Sequence, residues 1–189
     1  MLAVAEALGG GVVVVAHSIG ASVTLQALRQ QAGMIIGAVL YEPPLPGMPA
    51  GSESSEEMNA ALKDHRYEDA LEAFLRDLVK LSPRELEAVR ASRLHAHQVA
   101  LIWTMTREAE SLSSVDPDIN RYASIVEPVQ LLVGDRTAVH HRQAVDALAN
   151  VLPHAGVTIL RGQGHGALVH APEVVADAII SFLAPLPPS

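Results

Sequence analysis

The chain of 189 residues carries 13 basic and 21 acidic side chains, for a formal net charge of −8, and it contains no cysteine. With no basic stripe and only three Tyr, two Phe and one Trp, the composition excludes a nucleic-acid-binding surface, a disulfide framework and a cysteine nucleophile. No apolar run approaches the roughly 20 residues that span a bilayer. We therefore expect a cytoplasmic protein of one domain, with no nucleic-acid or membrane partner.

The first 45 residues predict a strand, a helix and a second strand. A short helix that ends at Gly9–Gly11 comes first. The β-branched run Val12–Ala16 is typical of a strand buried on both faces, Gly20–Gln31 predicts a helix, and Met34–Tyr41 predicts the second strand. Short connections between these elements favour a right-handed crossover in a parallel sheet.

The middle of the chain changes to a helical period. Leu45–Glu57 is rich in Pro, Gly, Ser and Glu and predicts a linker. Helices are expected over Tyr67–Leu81 and Arg93–Ser111, and Ser82–Glu85 carries the signature of a capping box. No strand is expected between residues 57 and 120, so this block predicts a helical insertion.

The last third returns to alternating strands and helices. Val129–Val133 and Val157–Leu160 predict strands, whereas Arg142–Leu152 and Pro172–Leu183 predict helices. We therefore expect an α/β fold: a mostly parallel sheet flanked by helices, with an inserted helical cap. The predicted first core segment covers residues 1–48, the cap covers residues 49–121, and the second core segment covers residues 122–189.

Ser18 is the candidate nucleophile. It lies between a predicted buried strand and a helix, with Ala16 two residues before it and Gly20 two residues after it. Small residues at these positions suit a strained strand-to-helix turn that exposes a serine at its tip. This placement favours a nucleophile elbow over an ordinary helix N-cap serine.

A histidine base and two candidate acids follow the later strands. His165 is favoured among the nine histidines because it combines a strand end, glycine neighbours and a following helix; His170 is its nearest competitor. Glu42 and Asp135 both lie at carboxyl ends of predicted strands, where ligands bind in open α/β sheets. Either carboxylate would orient the imidazole, and this alternative stays open, with a slight preference for Glu42.

Two other patterns are judged unrelated to function. Gly162–Ala167 fits a dinucleotide-binding fingerprint, but too few residues follow it for the required strand–helix–strand unit. His95 and His97 do not share a helix face. We expect them and the pair His140–His141 to be solvated. We therefore predict no metal site and no cofactor.

The ordered combination of four motifs resembles the α/β-hydrolase superfamily. The motifs are Val12–Gly20, Val39–Pro44, Leu131–Asp135 and Gly162–Gly166. The resemblance implies Ser18 as nucleophile, His165 as base and the backbone N–H of Ile19 in the oxyanion hole. The family usually places its acid three residues after the turn glycine, which here is Thr137. Some branches instead carry a carboxylate after the strand that follows the elbow, and Glu42 matches that position.

The resemblance also implies further strands before the elbow, with a loop that supplies a second oxyanion-hole donor. This sequence lacks those strands and that loop. We therefore expect either a fragment of a longer hydrolase or a damaged one, with Val12–Ala16 as an apolar edge strand open to self-association. The expected substrate is a small ester, thioester or lactone, and Leu101, Trp103 and Met105 are candidates to line its acyl pocket. The alternatives are a catalytically incompetent remnant, a cofactor-free haloperoxidase and a carbon–carbon bond hydrolase.

Overall fold

Four parallel strands form one sheet whose neighbours follow the order of the chain. The computed structural model describes residues 1–31, 33–47 and 54–185. In chain order, the core elements are α1 (Leu2–Ala7), β1 (Val12–His17), α2 (Ile19–Gln30) and β2 (Ile35–Tyr41). The cap helices are α3 (Ser54–Lys63), α4 (Tyr67–Ala73), α5 (Pro83–Arg90), α6 (His95–Leu101) and α7 (Met105–Ser113). The core then resumes with β3 (Val129–Gly134), α8 (Val139–Val151), β4 (Ala155–Leu160), α9 (Ala167–His170) and α10 (Pro172–Leu183). This arrangement confirms the predicted α/β class.

The strand register brings the carboxyl ends of the four strands to one edge. His17 pairs with Tyr41, and Tyr41 pairs with Leu132. Gly134 pairs with Leu160 at the end of β4. Because all pairings are parallel, the residues that follow the strands meet at this edge.

Apolar side chains cover both faces of the central strands β2 and β3, as their continuous apolar sequences predict. The expectation that Val12–Ala16 is buried on both faces is wrong, because β1 is an edge strand and Val15 is 50% exposed. Within β2, alternate residues point to opposite faces. Leu40 packs in a cluster with Leu25 of α2 and Leu148 of α8. Tyr41 packs in a second cluster with Val175 of α10. The sheet is therefore a middle layer between two helical layers, and β1 lies at one of its edges.

The cap helices have separate apolar clusters. Met58, Ala70 and Ile102 lie in one of them, and Val79 and Val89 lie in another. The predicted capping box is confirmed at α5. The Ser82 hydroxyl accepts a hydrogen bond from the Glu85 N–H, and the Glu85 carboxylate accepts one from the Ser82 N–H.

Four element predictions differ from the structure. The helix predicted over Tyr67–Leu81 is α-helical only to Ala73 and continues as a π-helical turn over Phe74–Leu78. The predicted linker is too long, because α3 already begins at Ser54; residues 48–53 of that linker lie outside the described residues. The helix predicted over Arg93–Ser111 is interrupted by a 3₁₀ turn at Ile102–Thr104, where Ile102 is buried in the cap cluster. The single turn α9 was missed because four residues are too few to show a helical period.

We predict that Gly134→Ala destabilises the fold. A Cβ at residue 134 would lie 2.7 Å from the carbonyl carbon of Gln163 and would overlap its oxygen, so the loop that carries His165 must shift. Overpacking of this kind lowers the free energy of unfolding by about 1–3 kcal/mol. Urea denaturation of the variant and of wild type would measure this loss.

Gly20→Ala is the matched control. A Cβ at residue 20 meets no described atom within 4 Å, and alanine is the better helix former. We expect the free energy of unfolding to stay the same or rise slightly in the control. Equal stability of the two variants would contradict the packing role of Gly134.

Candidate active site

A buried carboxylate–imidazole pair lies at the carboxyl edge of the sheet. His165 Nδ1 lies 2.6 Å from Glu42 Oε2, and the side chains are 6% and 0% exposed. With the ring proton on Nδ1 donated to the carboxylate, Nε2 keeps a free lone pair. A general base in acyl transfer requires this tautomer.

Two further donors hold the Glu42 carboxylate. The backbone N–H of Gly134 donates to Oε1 at 2.8 Å, and the Thr137 hydroxyl donates to Oε2 at 2.8 Å. Burial raises the pKa of the Glu42 carboxyl, and the bonds from Gly134 and Thr137 oppose that rise. Thr137, which occupies the usual acid position in the family resemblance, is thus a partner of the carboxylate at the end of the preceding strand.

Asp135 has other partners. One oxygen of its carboxylate accepts the N–H of Gly162 at 2.7 Å, and the other lies 3.8 Å from the Arg161 guanidinium. Both contacts secure the loop that follows β4. Of the two candidate acids, the structure brings Glu42 to His165 and gives Asp135 a loop-closing position.

Ser18 lies at the turn between β1 and α2. Its φ of 54° and ψ of −130° place a non-glycine residue in a sparsely populated region of backbone conformation. The Ser18 N–H donates to the carbonyl of Tyr41 at 2.9 Å, which ties the turn to β2. Ile19 begins α2, so its N–H has no partner within the helix. Among the described residues, no hydrogen bond joins Ser18 Oγ to His165.

Glu42 is strained in the same way, with a φ of 46°. Two non-glycine residues with left-handed backbone therefore follow two neighbouring strands. Such strain persists where the surrounding contacts fix the conformation, and it concentrates at functional sites. At Glu42 those contacts include its own N–H, which donates to the Leu132 carbonyl at 3.1 Å.

His17 connects the elbow to the histidine loop. Its Nε2 lies 3.1 Å from the carbonyl oxygen of His165, and because a carbonyl only accepts, Nε2 carries the hydrogen. The Tyr41 hydroxyl donates to the carbonyl of Gly164 in the same loop. Neither residue had been singled out from the sequence.

The prediction that His140 and His141 are solvated is wrong for His141. This side chain is 5% exposed, and its ring stacks on His165 with centroids 4.2 Å apart and planes 7° apart. A sequence signal was available, because the buried residues of α8 recur at helical spacing and His141 begins that series. The series is His141, Ala144, Val145 and Leu148.

The remaining sequence candidates lie elsewhere. Leu101 and Trp103, expected to line an acyl pocket, are 45% and 54% exposed on the cap. Trp103 packs under the Arg107 guanidinium. His170 Nε2 forms a hydrogen bond with Gln163 Oε1 at 3.1 Å. The acyl-pocket role stays a prediction.

Glu42, His141 and His165 offer one ligand atom each, and these atoms lie within 4.8 Å of one another. The two imidazole rings are nearly parallel, however, and imidazole nitrogens bind metals in the plane of the ring. A single ion does not lie in two separate parallel planes. The stacked arrangement therefore suits packing better than metal binding.

The comparisons agree with the fold. Residues 1–178 match the model of the alpha/beta hydrolase family, and the chain belongs to this family. A comparison with curated proteins gave no match.

Several solved structures share the fold of this chain. An alpha/beta hydrolase from Sphaerobacter thermophilus is 23% identical with a TM-score of 0.78, and the match covers 96% of this chain and 71% of that one. An alpha/beta hydrolase from a Medee basin deep-sea metagenome library is 18% identical, with a TM-score of 0.77 and coverage of 98% and 70%. An esterase from a Rhodococcus species is 19% identical, with a TM-score of 0.71 and coverage of 97% and 70%. The chain thus spans about 70% of the length of these hydrolases.

No helix among the described residues is long and apolar enough to cross a membrane.

We predict that the fold loses stability steeply below neutral pH. Burial lowers the pKa of His17, His141 and His165 each to about 3, whereas the unfolded chain binds protons on these rings near pH 6.5. Below that pH the unfolded state holds more protons, so the free energy of unfolding falls as pH falls towards 3. Each ring contributes a slope of up to about 1.4 kcal/mol per pH unit.

Urea denaturation at several pH values between 7.5 and 5 measures this slope. The raised pKa of Glu42 acts in the opposite direction and offsets part of it. His141→Phe removes one of the three titrating rings, so its stability should fall less steeply than that of wild type. Parallel curves for the two proteins would contradict burial of a neutral His141.

Proposed function

We propose that the chain is a serine hydrolase that cleaves an ester, thioester or lactone through an acyl-enzyme. The observation that carries the proposal is the buried Glu42–His165 hydrogen bond, at 2.6 Å, on the same sheet edge as the strained turn at Ser18. A serine, an imidazole and a carboxylate on one sheet edge are the residue types that serve as nucleophile, base and acid. The family match of residues 1–178 supports this class of chemistry.

In the proposed mechanism, Ser18 Oγ attacks the acyl carbon while His165 Nε2 takes the hydroxyl proton. The imidazolium that forms shares its Nδ1 proton with Glu42, which stabilises the positive charge. His165 then donates the proton to the leaving oxygen or sulfur, and the acyl group stays on Ser18. A water molecule, deprotonated by His165, releases the acid and restores the hydroxyl.

The N–H of Ile19 is the proposed donor to the oxyanion. It lies at the N-terminus of α2, where the helix dipole also favours negative charge. Removing one donor from such a site costs about 100- to 1000-fold in turnover. An activated ester, whose leaving group is expelled most easily, is the appropriate first substrate.

Burial of the base fits a site that excludes bulk water. Burial lowers the pKa of His165 to about 3, so the ring is neutral at pH 7 and Nε2 keeps its lone pair. We also propose a small acyl substrate and a cytoplasmic location, in line with the lack of cysteine.

We predict that Ser18→Ala abolishes turnover of p-nitrophenyl acetate. Loss of the nucleophile removes the acyl-enzyme route and should lower kcat/KM by at least about a thousandfold. Mass spectrometry of wild type after brief exposure to a fluorophosphonate should show one adduct on Ser18, and Ser18→Ala should show none.

Ser22→Ala is the matched control, because Ser22 lies one helical turn further along α2 and its hydroxyl donates to the carbonyl of Pro44 instead. Equal rates for wild type and Ser18→Ala would overturn the proposal. They would favour the alternative, an inactive chain that self-associates through the edge strand β1, which sedimentation velocity would detect.

We predict that Glu42→Gln and Asp135→Asn separate the two candidate acids. An amide at residue 42 has only one oxygen, so it cannot accept from both the Gly134 N–H and His165 Nδ1. The wrong tautomer of His165 then becomes populated, with a loss of up to about 10⁴-fold in kcat. Asp135→Asn keeps an oxygen for the Gly162 N–H and should change kcat less than about threefold. The reverse ranking on p-nitrophenyl acetate would assign the acid to Asp135.

A further inference from the structure

His141 is a buried ring that the proposed mechanism does not use. Its side chain is 5% exposed, and among the described residues neither of its ring nitrogens makes a hydrogen bond. The carbonyl of Val79, at the end of the π-helical turn Phe74–Leu78 in the cap, faces the ring and favours its protonated form without reaching hydrogen-bond geometry. Burial of an imidazole without a partner is costly, so packing must hold it there.

The ring of His165 provides that packing. The two rings lie 4.2 Å apart and differ by 7° in orientation, so each covers a face of the other. The ring of His165 is attached to a loop between β4 and α9, whereas His141 belongs to the first turn of α8. A loop residue whose ring is stacked on a helix residue loses rotational freedom about its side-chain bonds.

We propose that His141 is a positioning residue that holds the imidazole of His165 in the plane in which Nδ1 meets Glu42 and Nε2 faces the substrate. This inference rests on the proposed function. The neutral ring of His141 also places an aromatic face against the imidazolium that forms when His165 takes the serine proton, and such a face attracts a cation.

Other groups surround His165 and set the background for any pH effect. His17 comes from β1, Tyr41 and Glu42 come from the end of β2, and His140 lies beside His141 on α8. From the cap, Glu85 lies against Gly164 and Gly166, and the charge of Lys80 acts on His140. Substitution at residue 141 leaves all of these groups in place.

The test compares His141→Phe, which keeps a stacked ring, with His141→Leu, which removes it. We expect kcat/KM of His141→Phe to stay within about threefold of wild type, and kcat of His141→Leu to fall about 10- to 100-fold with KM unchanged. His97→Phe is the control, because His97 is an exposed histidine on the cap. It should behave as wild type.

Proton NMR of the same proteins gives a readout that needs no activity. The Nδ1 proton shared by His165 and Glu42 should give a downfield signal in wild type and in His141→Phe, and Glu42→Gln identifies it by its loss. In His141→Leu the signal should broaden or disappear. If His141→Leu fails to fold, His141→Met provides the ring-free comparison.

An unchanged signal and unchanged kcat in the ring-free variant would overturn the inference. So would an equal loss in His141→Phe, which would assign the effect to the ring nitrogens instead of the stacked face. If wild type is inactive while the NMR signals behave as expected, the proposed function fails and the positioning role of His141 stands.

Discussion

The edge of the sheet that carries the candidate active site depends on one buried carboxylate. Glu42 accepts hydrogen bonds from the Gly134 N–H, the Thr137 hydroxyl and the His165 ring. These three donors come from the end of β3, the turn after it and the loop after β4. A single side chain at the end of β2 therefore joins the next two strand ends, and removal of its charge or length would leave buried donors without partners. The strained backbone at Glu42 is the local cost of directing the carboxylate into this position.

Much of the fold followed from the sequence because its signals are local. Continuous β-branched and apolar runs predicted all four strands, and Ser82 with Glu85 predicted the start of α5. The break in the cap at Ile102 depends on tertiary burial, which has no local sequence pattern. The helix α9 has too few residues to show a helical period. The predicted class was right, whereas the predicted bounds of the cap helices were only approximate.

The sequence named the residues of the candidate site but not their contacts. The preference for Glu42 came from the family resemblance, because some branches carry a carboxylate after the strand that follows the elbow. Nothing in the sequence shows that Thr137 and Gly134 donate to it. His17 and Tyr41 act on the histidine loop across long separations in sequence, and such contacts have no local signal. His141 differs, because its spacing to Ala144 and Leu148 marks the buried face of α8. The sequence interpretation treated His141 as solvated and did not use that periodicity.

The contact between Thr137 and Glu42 has a consequence for how such sites change over time. Their side-chain oxygens lie 2.8 Å apart and belong to the ends of neighbouring strands, so two points in the chain reach nearly the same place beside His165. A carboxylate can therefore migrate from one strand to the next through exchanges at two positions, with no rearrangement of the sheet. Glycine at residue 42 would also release the left-handed strain there. The carboxylate proposed as the acid is thus defined by its position beside His165, and more than one segment of the chain reaches that position.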